Sequence, residues 1–274
     1  MTFKLAVFGN PVEHSRSPEI HAAFAAAAGI DIDYRKVLVP EGAFEAIAGD
    51  FMASGGHGFN ATVPVKADAF RYVHERSDIA LTCGAVNTVS RVAGGLRGDN
   101  TDGVGIVADM TQNLGWQVTG ASVLIAGAGG ATRGVLPLLA AARPACLHII
   151  NRTRANAVTL AGELGLDALT VVDHETALEG YDLVINATSA GLGGGVPSLP
   201  GRVIGRNTMS YDMIYGAGET AFNAWASSLG AGATADGLGM LVEQAAEAFR
   251  LWFPAVGDLP TRDVISSTRQ TING

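Results

Sequence analysis

Short apolar runs alternate along the chain with stretches in which apolar positions recur every three or four residues. The apolar runs predict buried strands, and the periodic stretches predict helices that cover them. The predicted strands are Phe3–Phe8, Asp33–Val39, Gly58–Val63, Ala85–Arg91, Leu96–Asn100, Ser122–Ala126, Leu147–Asn151, Asp182–Asn186 and Thr208–Met213. The predicted helices are Ser17–Ala28, Glu41–Met52, a helix that follows Asp102, Gly130–Ala142, Arg154–Leu164, Glu219–Leu229 and Leu238–Trp252. This alternation predicts an α/β protein with parallel sheets covered by helices.

Composition and charge narrow the class of protein. Hydrophobic residues make up 48% of the 274 positions, which is enough for a sizeable core in one large or two modest domains. The formal net charge of -8 argues against a nucleic-acid or anionic-membrane partner, but a few local cations could still hold a small anion. Cys83 and Cys146 form no metal motif or disulfide framework. We see no signal segment and no membrane span, so we expect a cytoplasmic protein.

A glycine-rich turn, Gly127–Gly130, separates a predicted strand from a predicted helix. Gly127 allows a tight turn, and Gly129 lets backbone amides approach a pyrophosphate at the helix N-terminus. Thr132 stands where a third Gly or Ala is usual. The pattern predicts a dinucleotide site, and the structural alternative is a plain turn between strand and helix.

The end of the next predicted strand indicates which dinucleotide is bound. NAD sites tend to carry an acidic residue there, whereas this chain has Asn151 followed by Arg152, Thr153 and Arg154. A guanidinium pairs well with a 2′-phosphate, so the segment favours NADP. The alternative is that both arginines are solvated surface charges. Thr188, after a later strand, lies where open α/β sheets place ligands, although polar residues are common in any turn.

Two polar segments offer acid–base chemistry. Pro64 ends a short strand and presents Lys66, and Asp102 lies in the polar turn Asp99–Gly103. A lysine oriented by a carboxylate could supply the proton that a ketone oxygen needs during hydride addition. The alternative is a solvated lysine and a helix-capping aspartate. Ser15 and Ser17 could likewise bind a carboxylate or polyol, or Ser17 could be a helix N-cap before Pro18.

Taken together, the motifs resemble those of the shikimate dehydrogenase family, in order along nearly the whole chain. The matching segments are Val7–Pro11, His14–Pro18, Asn60–Lys66, Gly84–Thr88, Asp99–Gly103, Gly127–Arg133, Asn151–Thr153, Tyr211–Tyr215 and Ala235–Gln244. The resemblance implies two α/β domains with a cleft between them. It implies a substrate-binding domain of residues 1–101 with 238–274, so that the C-terminal helices return to it. Residues 102–237 would be a Rossmann-like NADP-binding domain.

The resemblance also implies an activity and residue roles. The expected reaction is the NADPH-dependent, reversible reduction of 3-dehydroshikimate to shikimate, without a metal, by a monomer or homodimer. Lys66 and Asp102 would be the catalytic acid–base pair. The expected substrate-binding residues are Ser15, Ser17, Asn60, Thr62, Asn87, Tyr215 and Gln244. The expected cofactor-binding residues are Gly127, Ala128, Gly129, Gly130, Ala131, Asn151, Arg152, Thr153, Arg154, Thr188, Met213 and Gly237.

One departure from the family pattern concerns phosphate binding. Many NADP-using members carry a basic residue three positions after the motif threonine, where this chain has Asn156, so affinity for the 2′-phosphate could be reduced. Two alternative functions remain. A quinate/shikimate dehydrogenase would have looser substrate and cofactor choice, although Ser15 and Ser17 favour the shikimate-specific form. A non-catalytic NADP-binding sensor would be expected to lack the Lys66 and Asp102 pair.

Overall fold

The computed structural model describes residues 1–274, apart from the side chain of Leu192. The strands are β1 (Phe3–Gly9), β2 (Ile32–Leu38), β3 (Gly56–Ala61), β4 (Glu75–Arg76), β5 (Thr88–Val92), β6 (Gly95–Asp99), β7 (Ser122–Ala126), β8 (Cys146–Ile150), β9 (Leu169–Val171), β10 (Leu183–Asn186), β11 (Met209–Asp212) and β12 (Ala233–Asp236). The helices are α1 (Ser17–Ala28), α2 (Phe44–Ala53), α3 (Lys66–Tyr72), α4 (Asp78–Cys83), α5 (Asp102–Ala108), α6 (Gly130–Ala141), α7 (Arg154–Leu164), α8 (Ala221–Ser228), α9 (Leu238–Trp252) and α10 (Thr261–Asn273).

The chain forms two compact units. The first contains Met1–Asp102 and Val242–Val264, and the second contains Gly103–Leu241 and Ile265–Gly274. The domain limits expected from the sequence stay a prediction. The units differ from that expectation in three places: Asp102 belongs to the first unit, and residues 238–241 and 265–274 belong to the second.

The sheet of the first unit is mixed. Its strand order is β2-β1-β3-β5-β6-β4, in which β1 runs parallel to β2 and β3, whereas β5 runs antiparallel to β3 and β6. A wholly parallel sheet was therefore a wrong expectation for this unit. Only two residues connect β5 to β6, and a parallel crossover needs a dozen or more.

Aromatic side chains fill much of the first unit. Phe8 stacks on Phe59 at a centroid distance of 4.5 Å. Near the end of α9, the Trp252 indole donates a 3.0 Å hydrogen bond to the carbonyl of Val89 on β5. A Cβ at Gly58 would lie 2.3 Å from the Trp252 ring nitrogen, so only glycine lets the indole approach the sheet this closely. The end of α9 is thereby part of this unit's core.

His21 is a fully buried titratable group in this core. Its ring stacks on Tyr34 at 4.6 Å and lies 5.1 Å from Trp252, and neither ring nitrogen has a hydrogen-bond partner in the described part of the chain. Burial lowers the pKa of His21 to about 3. The folded protein therefore keeps this ring neutral at pH values at which the unfolded chain protonates it.

We expect His21→Phe to reduce the acid sensitivity of folding. The unfolded state gains a proton near pH 6.5 and the folded state only near pH 3. Stability therefore falls as the pH drops through this window, by about 2 kcal/mol for this group at pH 5. Phenylalanine keeps the aromatic stacking and does not titrate. Urea unfolding at pH 7.5 and 5 should show a loss smaller by about that amount in the variant, and an equal loss in both proteins would contradict the expectation.

The sheet of the second unit is wholly parallel, as expected. Its strand order is β12-β11-β10-β7-β8-β9, with the order reversing beside β7. The central strands are buried on both faces, which matches their unbroken apolar runs. Ligands bind outside the carboxyl ends of such strands, and the glycine-rich turn leaves β7 at this edge.

A buried polar contact lies inside the second unit's core. Tyr211, which is fully buried, donates a 2.7 Å hydrogen bond to a carboxylate oxygen of Asp109. Burial, followed by the Asp109 charge, raises the pKa of Tyr211 well above its ordinary value, so its hydroxyl remains protonated. Gly239 on α9 lies against the same carboxylate: a Cβ there would be 1.9 Å from an Asp109 oxygen.

The structure confirms the α/β class and most of the expected elements. Helices α1, α7 and α9 and strand β7 have the predicted limits. The elements that sequence reasoning missed are β4, β9, β12, α3, α4 and α10. Ser17 is the first residue of α1 and Arg16 occupies the N-cap position, so the capping alternative for Ser17 is wrong. Within the described residues, no helix is long and apolar enough to cross a membrane.

Candidate active site

Lys66 and Asp102 form an ion pair in the first unit. Lys66 is the first residue of α3, just after the Pro64 turn, and Asp102 is the first residue of α5. The Lys66 ammonium donates to Asp102 Oδ2 at 2.5 Å, and the two side chains are 21% and 9% exposed. The sequence expectation that these two residues meet therefore matches the geometry. The pair keeps a route to solvent through Lys66, which a group that gains and loses protons requires.

Asn87 orients the Asp102 carboxylate. Its amide nitrogen donates to Asp102 Oδ1 at 2.8 Å and to the Thr101 hydroxyl at 3.0 Å. Its amide oxygen accepts from the Thr101 backbone N–H and from the Thr88 hydroxyl. Both N–H groups of Asn87 are thus used within the protein, and the residue is only 3% exposed. This arrangement supports a positioning role for Asn87 more directly than the expected substrate contact.

The same network reaches Gln244 on α9. The Thr101 hydroxyl lies 3.2 Å from the Gln244 side-chain oxygen, and both residues belong to the first unit. Sequence reasoning placed Thr101 in a polar turn but gave it no role. Its position between Asn87 and Gln244 could not be read from spacing, because Gln244 is 143 residues away.

Asn60 on β3 is held from three sides. Its nitrogen donates to the Asn87 carbonyl and the Thr88 hydroxyl, at 3.2 and 3.1 Å, and its oxygen accepts a 2.6 Å bond from the Tyr34 hydroxyl. Burial raises the pKa of Tyr34, so this hydroxyl stays protonated and donates. With its N–H groups engaged, Asn60 has only an oxygen lone pair left to offer a ligand. It can therefore accept a hydrogen bond from a ligand hydroxyl.

Ser15 and Ser17 lie together before and at the start of α1. Their hydroxyls are 3.1 Å apart, and the backbone N–H of Ser17 donates to the Ser15 hydroxyl. Tyr34 on β2 lies beside this pair and donates its hydroxyl to Asn60. Sequence reasoning missed Tyr34, since a tyrosine on a strand carries no motif of its own.

Thr62 follows β3 and contacts the backbone of Gly9 closely. A Cβ at Gly9 would lie 2.5 Å from the Thr62 methyl group, so glycine is required for this approach. The Thr62 N–H donates to the Phe8 carbonyl at 2.8 Å, which fixes the turn. Its side chain is half-buried, and it lies four residues before Lys66 in the sequence.

The glycine-rich turn of the second unit has an open surface at the start of α6. Gly127 has φ +110, and a Cβ there would lie 3.1 Å from the Ala187 backbone, whereas a Cβ at Gly129 or Gly130 would meet nothing within 4 Å. Ala128 is half-buried and Ala131 is exposed beside them. Thr132, the departure from the usual third glycine, is fully buried and donates to the Gly127 carbonyl at 2.9 Å. Thr132 therefore stabilises the turn through this hydrogen bond.

The segment after β8 presents exposed cations. Arg152 and Arg154 are exposed, as are Thr153 and Asn156, and the Asn151 amide donates to the Thr153 carbonyl at 2.9 Å. Because that bond fixes the turn, the arginines project from a defined backbone. Exposed guanidinium groups at the carboxyl end of β8 suit the ribose 2′-phosphate of a dinucleotide.

A buried pair of side chains braces the segments that carry Thr188 and Met213. The Asn186 amide donates to Asp212 at 2.9 Å and accepts from both the backbone N–H and the hydroxyl of Thr188. The Met213 N–H donates to the Asn186 carbonyl. Burial raises the pKa of Asp212, which is fully enclosed. Sequence reasoning did not assign this brace.

Gly237 and Tyr215 complete the expected residues of the second unit. The Gly237 N–H donates to the Ile214 carbonyl at 3.1 Å, and a Cβ at Gly237 would lie 2.3 Å from the Met213 carbonyl oxygen. The segment after β11 and the turn after β12 thus contact each other through their backbones. Tyr215, an expected substrate residue, lies in this second unit, whereas the other expected substrate residues lie in the first.

These features fit a dinucleotide phosphate. An open glycine surface at a helix N-terminus suits a pyrophosphate, and exposed arginines one strand away suit a further phosphate. Residues 151–154 carry no acidic side chain that would repel that phosphate. The donor set is the one expected for NADP.

Three family models match the chain. They are "Shikimate dehydrogenase substrate binding domain" at residues 7–89, "Shikimate / quinate 5-dehydrogenase" at residues 109–192 and "Shikimate 5'-dehydrogenase C-terminal domain" at residues 237–258. The shikimate dehydrogenase (NADP(+)) of Chromobacterium violaceum is 46% identical over 274 residues, which are 99% of this chain and 100% of that protein.

Two solved structures are similar to the chain over nearly its whole length. An Ael1 enzyme from Pseudomonas putida is 38% identical with a TM-score of 0.91, over 99% of this chain and 98% of that one. The shikimate 5-dehydrogenase of Thermus thermophilus in complex with NADP(H) and shikimate is 32% identical with a TM-score of 0.87, over 98% of this chain and 99% of that one. The chain belongs to the shikimate dehydrogenase family.

Proposed function

We propose that this chain catalyses the reversible, NADPH-dependent reduction of 3-dehydroshikimate to shikimate, a step toward aromatic amino acids. The observation that carries the proposal is the 2.5 Å pair of Lys66 and Asp102, set among the polar side chains of the first unit. A family member that only bound NADP would have no use for a partly exposed lysine held by an oriented carboxylate.

The proton chemistry belongs to Lys66. As the carbonyl carbon gains a hydride, the electron pair of its C=O bond moves to oxygen. The Lys66 ammonium gives that oxygen a proton, and the resulting amine recovers one from solvent. The Asp102 side chain holds the lysine in place through Oδ2, while Asn87 fixes its other oxygen. In the oxidative direction the same groups act in reverse.

The cofactor proposal assigns NADP to the second unit. NADPH supplies the hydride when it is bound. The backbone of Gly127–Ala131 is proposed to hold the pyrophosphate, and Arg152 and Arg154 the 2′-phosphate, with Asn151 and Thr153 shaping that turn. Thr188, Met213 and Gly237 are proposed to contact the nicotinamide half. Because Asn156 stands where many family members have a basic side chain, fewer cations are available to the 2′-phosphate.

Substrate recognition is proposed to lie with polar side chains. Ser15 and Ser17 would bind the carboxylate through their adjacent hydroxyls. The Asn60 side-chain oxygen would accept a hydrogen bond from a ring hydroxyl, because its amide N–H groups are already used within the protein. Thr62, Tyr215 and Gln244 would bind the remaining ring hydroxyls. Asn87 is proposed to act on substrate mainly through Asp102.

Three further proposals come from the sequence. The domain limits are residues 1–101 with 238–274 for substrate and 102–237 for NADP. The protein is cytoplasmic. It acts as a monomer or homodimer, with no nucleic-acid or membrane partner.

The rate with each substrate and cofactor tests the function. We expect rapid reduction of NADP with shikimate. The rate with NAD should be lower by at least about tenfold, because a lost charge-assisted contact costs roughly 1.5–3 kcal/mol. The rate with quinate should also be lower, because its saturated ring carries one more hydroxyl that the site must accommodate. Arg154→Ala should raise the KM for NADP and leave the KM for NAD unchanged. Initial rates from absorbance of the reduced nicotinamide measure all of these.

Each result of this assay separates the alternatives. Comparable rates with quinate or NAD would favour the quinate/shikimate enzyme. NADP binding without turnover in any combination would favour the sensor. Arg143→Ala is the control for Arg154→Ala, because it removes the same charge from a site outside the turn after β8.

A further inference from the structure

Arg269 on α10 joins two segments of the second unit. Its guanidinium donates to the Gly216 carbonyl at 3.0 Å and forms an ion pair with Asp236. Gly216 lies in the segment after β11, and Asp236 is the last residue of β12. One side chain from the end of the chain therefore contacts both segments.

Those two segments carry three of the proposed ligand-binding residues. Met213 and Tyr215 precede the Gly216 carbonyl, and Gly237 follows Asp236. The segments also bond directly, through the Gly237 N–H and the Ile214 carbonyl at 3.1 Å. A side chain at Gly237 would meet the Met213 backbone, so the two segments are packed tightly. A small shift of either segment therefore moves the proposed ligand-binding residues of both.

The chemistry of arginine suits this junction. Asp236 Oδ1 also accepts from the Leu238 N–H at 3.2 Å, so the carboxylate fixes the turn and the arginine fixes the carboxylate. The guanidinium has several donors in a rigid plane and can bind a carbonyl and a carboxylate at once, whereas lysine acts as a point charge. The Asp236 side chain is 12% exposed, so solvent screens the pair only in part.

We infer that Arg269 is a positioning residue for the reaction. It acts through the Met213–Tyr215 segment and the Gly237 turn, and holds Tyr215 where substrate binds. The inference rests on the proposed function, since that proposal gives these segments their ligands. It adds a residue of the C-terminal helix, which carries none of the motifs, to the groups that set the rate.

The test compares Arg269→Ala and Arg269→Lys with wild type. We expect Arg269→Ala to lower kcat/KM for shikimate by about 10- to 100-fold, because a displaced binding group costs that much in enzymes. The KM for shikimate should rise and kcat should fall. Arg269→Lys should recover part of the loss through its pair with Asp236. Arg206→Ala removes the same charge from an exposed position of the same unit and should leave kcat/KM unchanged.

Binding of 2′,5′-ADP separates local from global effects. This fragment needs only the proposed phosphate sites at Arg152 and Arg154, so its dissociation constant, measured by calorimetry, should be unchanged in Arg269→Ala. A weakening of fragment binding that matches the loss in kcat/KM would mean general unfolding and would overturn the inference. Wild-type kinetics in Arg269→Ala would overturn the inference about Arg269 and leave the proposed function intact. A wild-type protein without turnover would instead overturn the proposed function.

Discussion

Lys66→Ala should lower kcat for shikimate oxidation by about 10²- to 10⁴-fold, which is the usual contribution of general acid–base catalysis. Lys66 is the proton donor in the reductive direction and the acceptor in the oxidative one. No other described cation shares the Asp102 carboxylate. Its loss removes a group that acts mainly in the transition state, so the KM for shikimate should change little. Initial rates and equilibrium binding of shikimate measure the two quantities separately.

Two controls make this result specific. Lys4→Ala removes an exposed lysine whose ammonium contacts the Ser54 carbonyl, and it should leave both kinetic constants unchanged. Urea unfolding of Lys66→Ala should show a folded protein with the same unfolding curve as wild type. Near-wild-type turnover in a folded Lys66→Ala protein would refute the assigned proton transfer. A large rise in KM with unchanged kcat would instead make Lys66 a binding residue.

Gly239→Ala should destabilise the protein by about 3 kcal/mol, at the upper end of the cost of overpacking a core. The added Cβ would lie 1.9 Å from an oxygen of the buried Asp109. That carboxylate accepts from the Tyr211 hydroxyl, so moving it also strains a buried hydrogen bond. Urea unfolding at neutral pH gives the free energy of unfolding directly.

Gly162→Ala is the matched control. Gly162 also lies in a helix, α7, but a Cβ there would meet nothing within 4 Å. Alanine is a better helix former, so this variant should be more stable by about 0.5–1 kcal/mol. Equal effects of the two substitutions would show that helix propensity, and not the contact with Asp109, determines the result at Gly239.

Local sequence predicted the elements whose pattern is long and regular. Helix α9 has the expected limits, because its apolar positions repeat over 15 residues. Helix α10 was missed because its apolar residues are few and polar residues dominate its sequence. Helices α3 and α4 have only seven and six residues, which is too short for a clear period.

The candidate site was predictable only where the residues lie in recognisable motifs. Residue chemistry suggested the pair of Lys66 and Asp102, the resemblance gave it a catalytic role, and the structure places the two side chains 2.5 Å apart. Tyr34, Thr101 and Arg269 were missed, because each gains its importance from a partner that is distant in sequence. Arg269 and Asp236 are 33 residues apart and meet only through the packing of α10.

The discontinuity of the first unit has a consequence for synthesis on the ribosome. Residues 242–264 complete this unit, yet residues 103–241 are translated before them. At ordinary elongation rates, roughly 7 to 28 s separate the two parts. During that interval the aromatic face around His21 and Phe24 lacks Phe249 and Trp252, which cover it in the folded protein. The sheet of the second unit, β7 to β12, is translated without interruption within that interval, so a later-synthesised sheet can form before the earlier unit is finished.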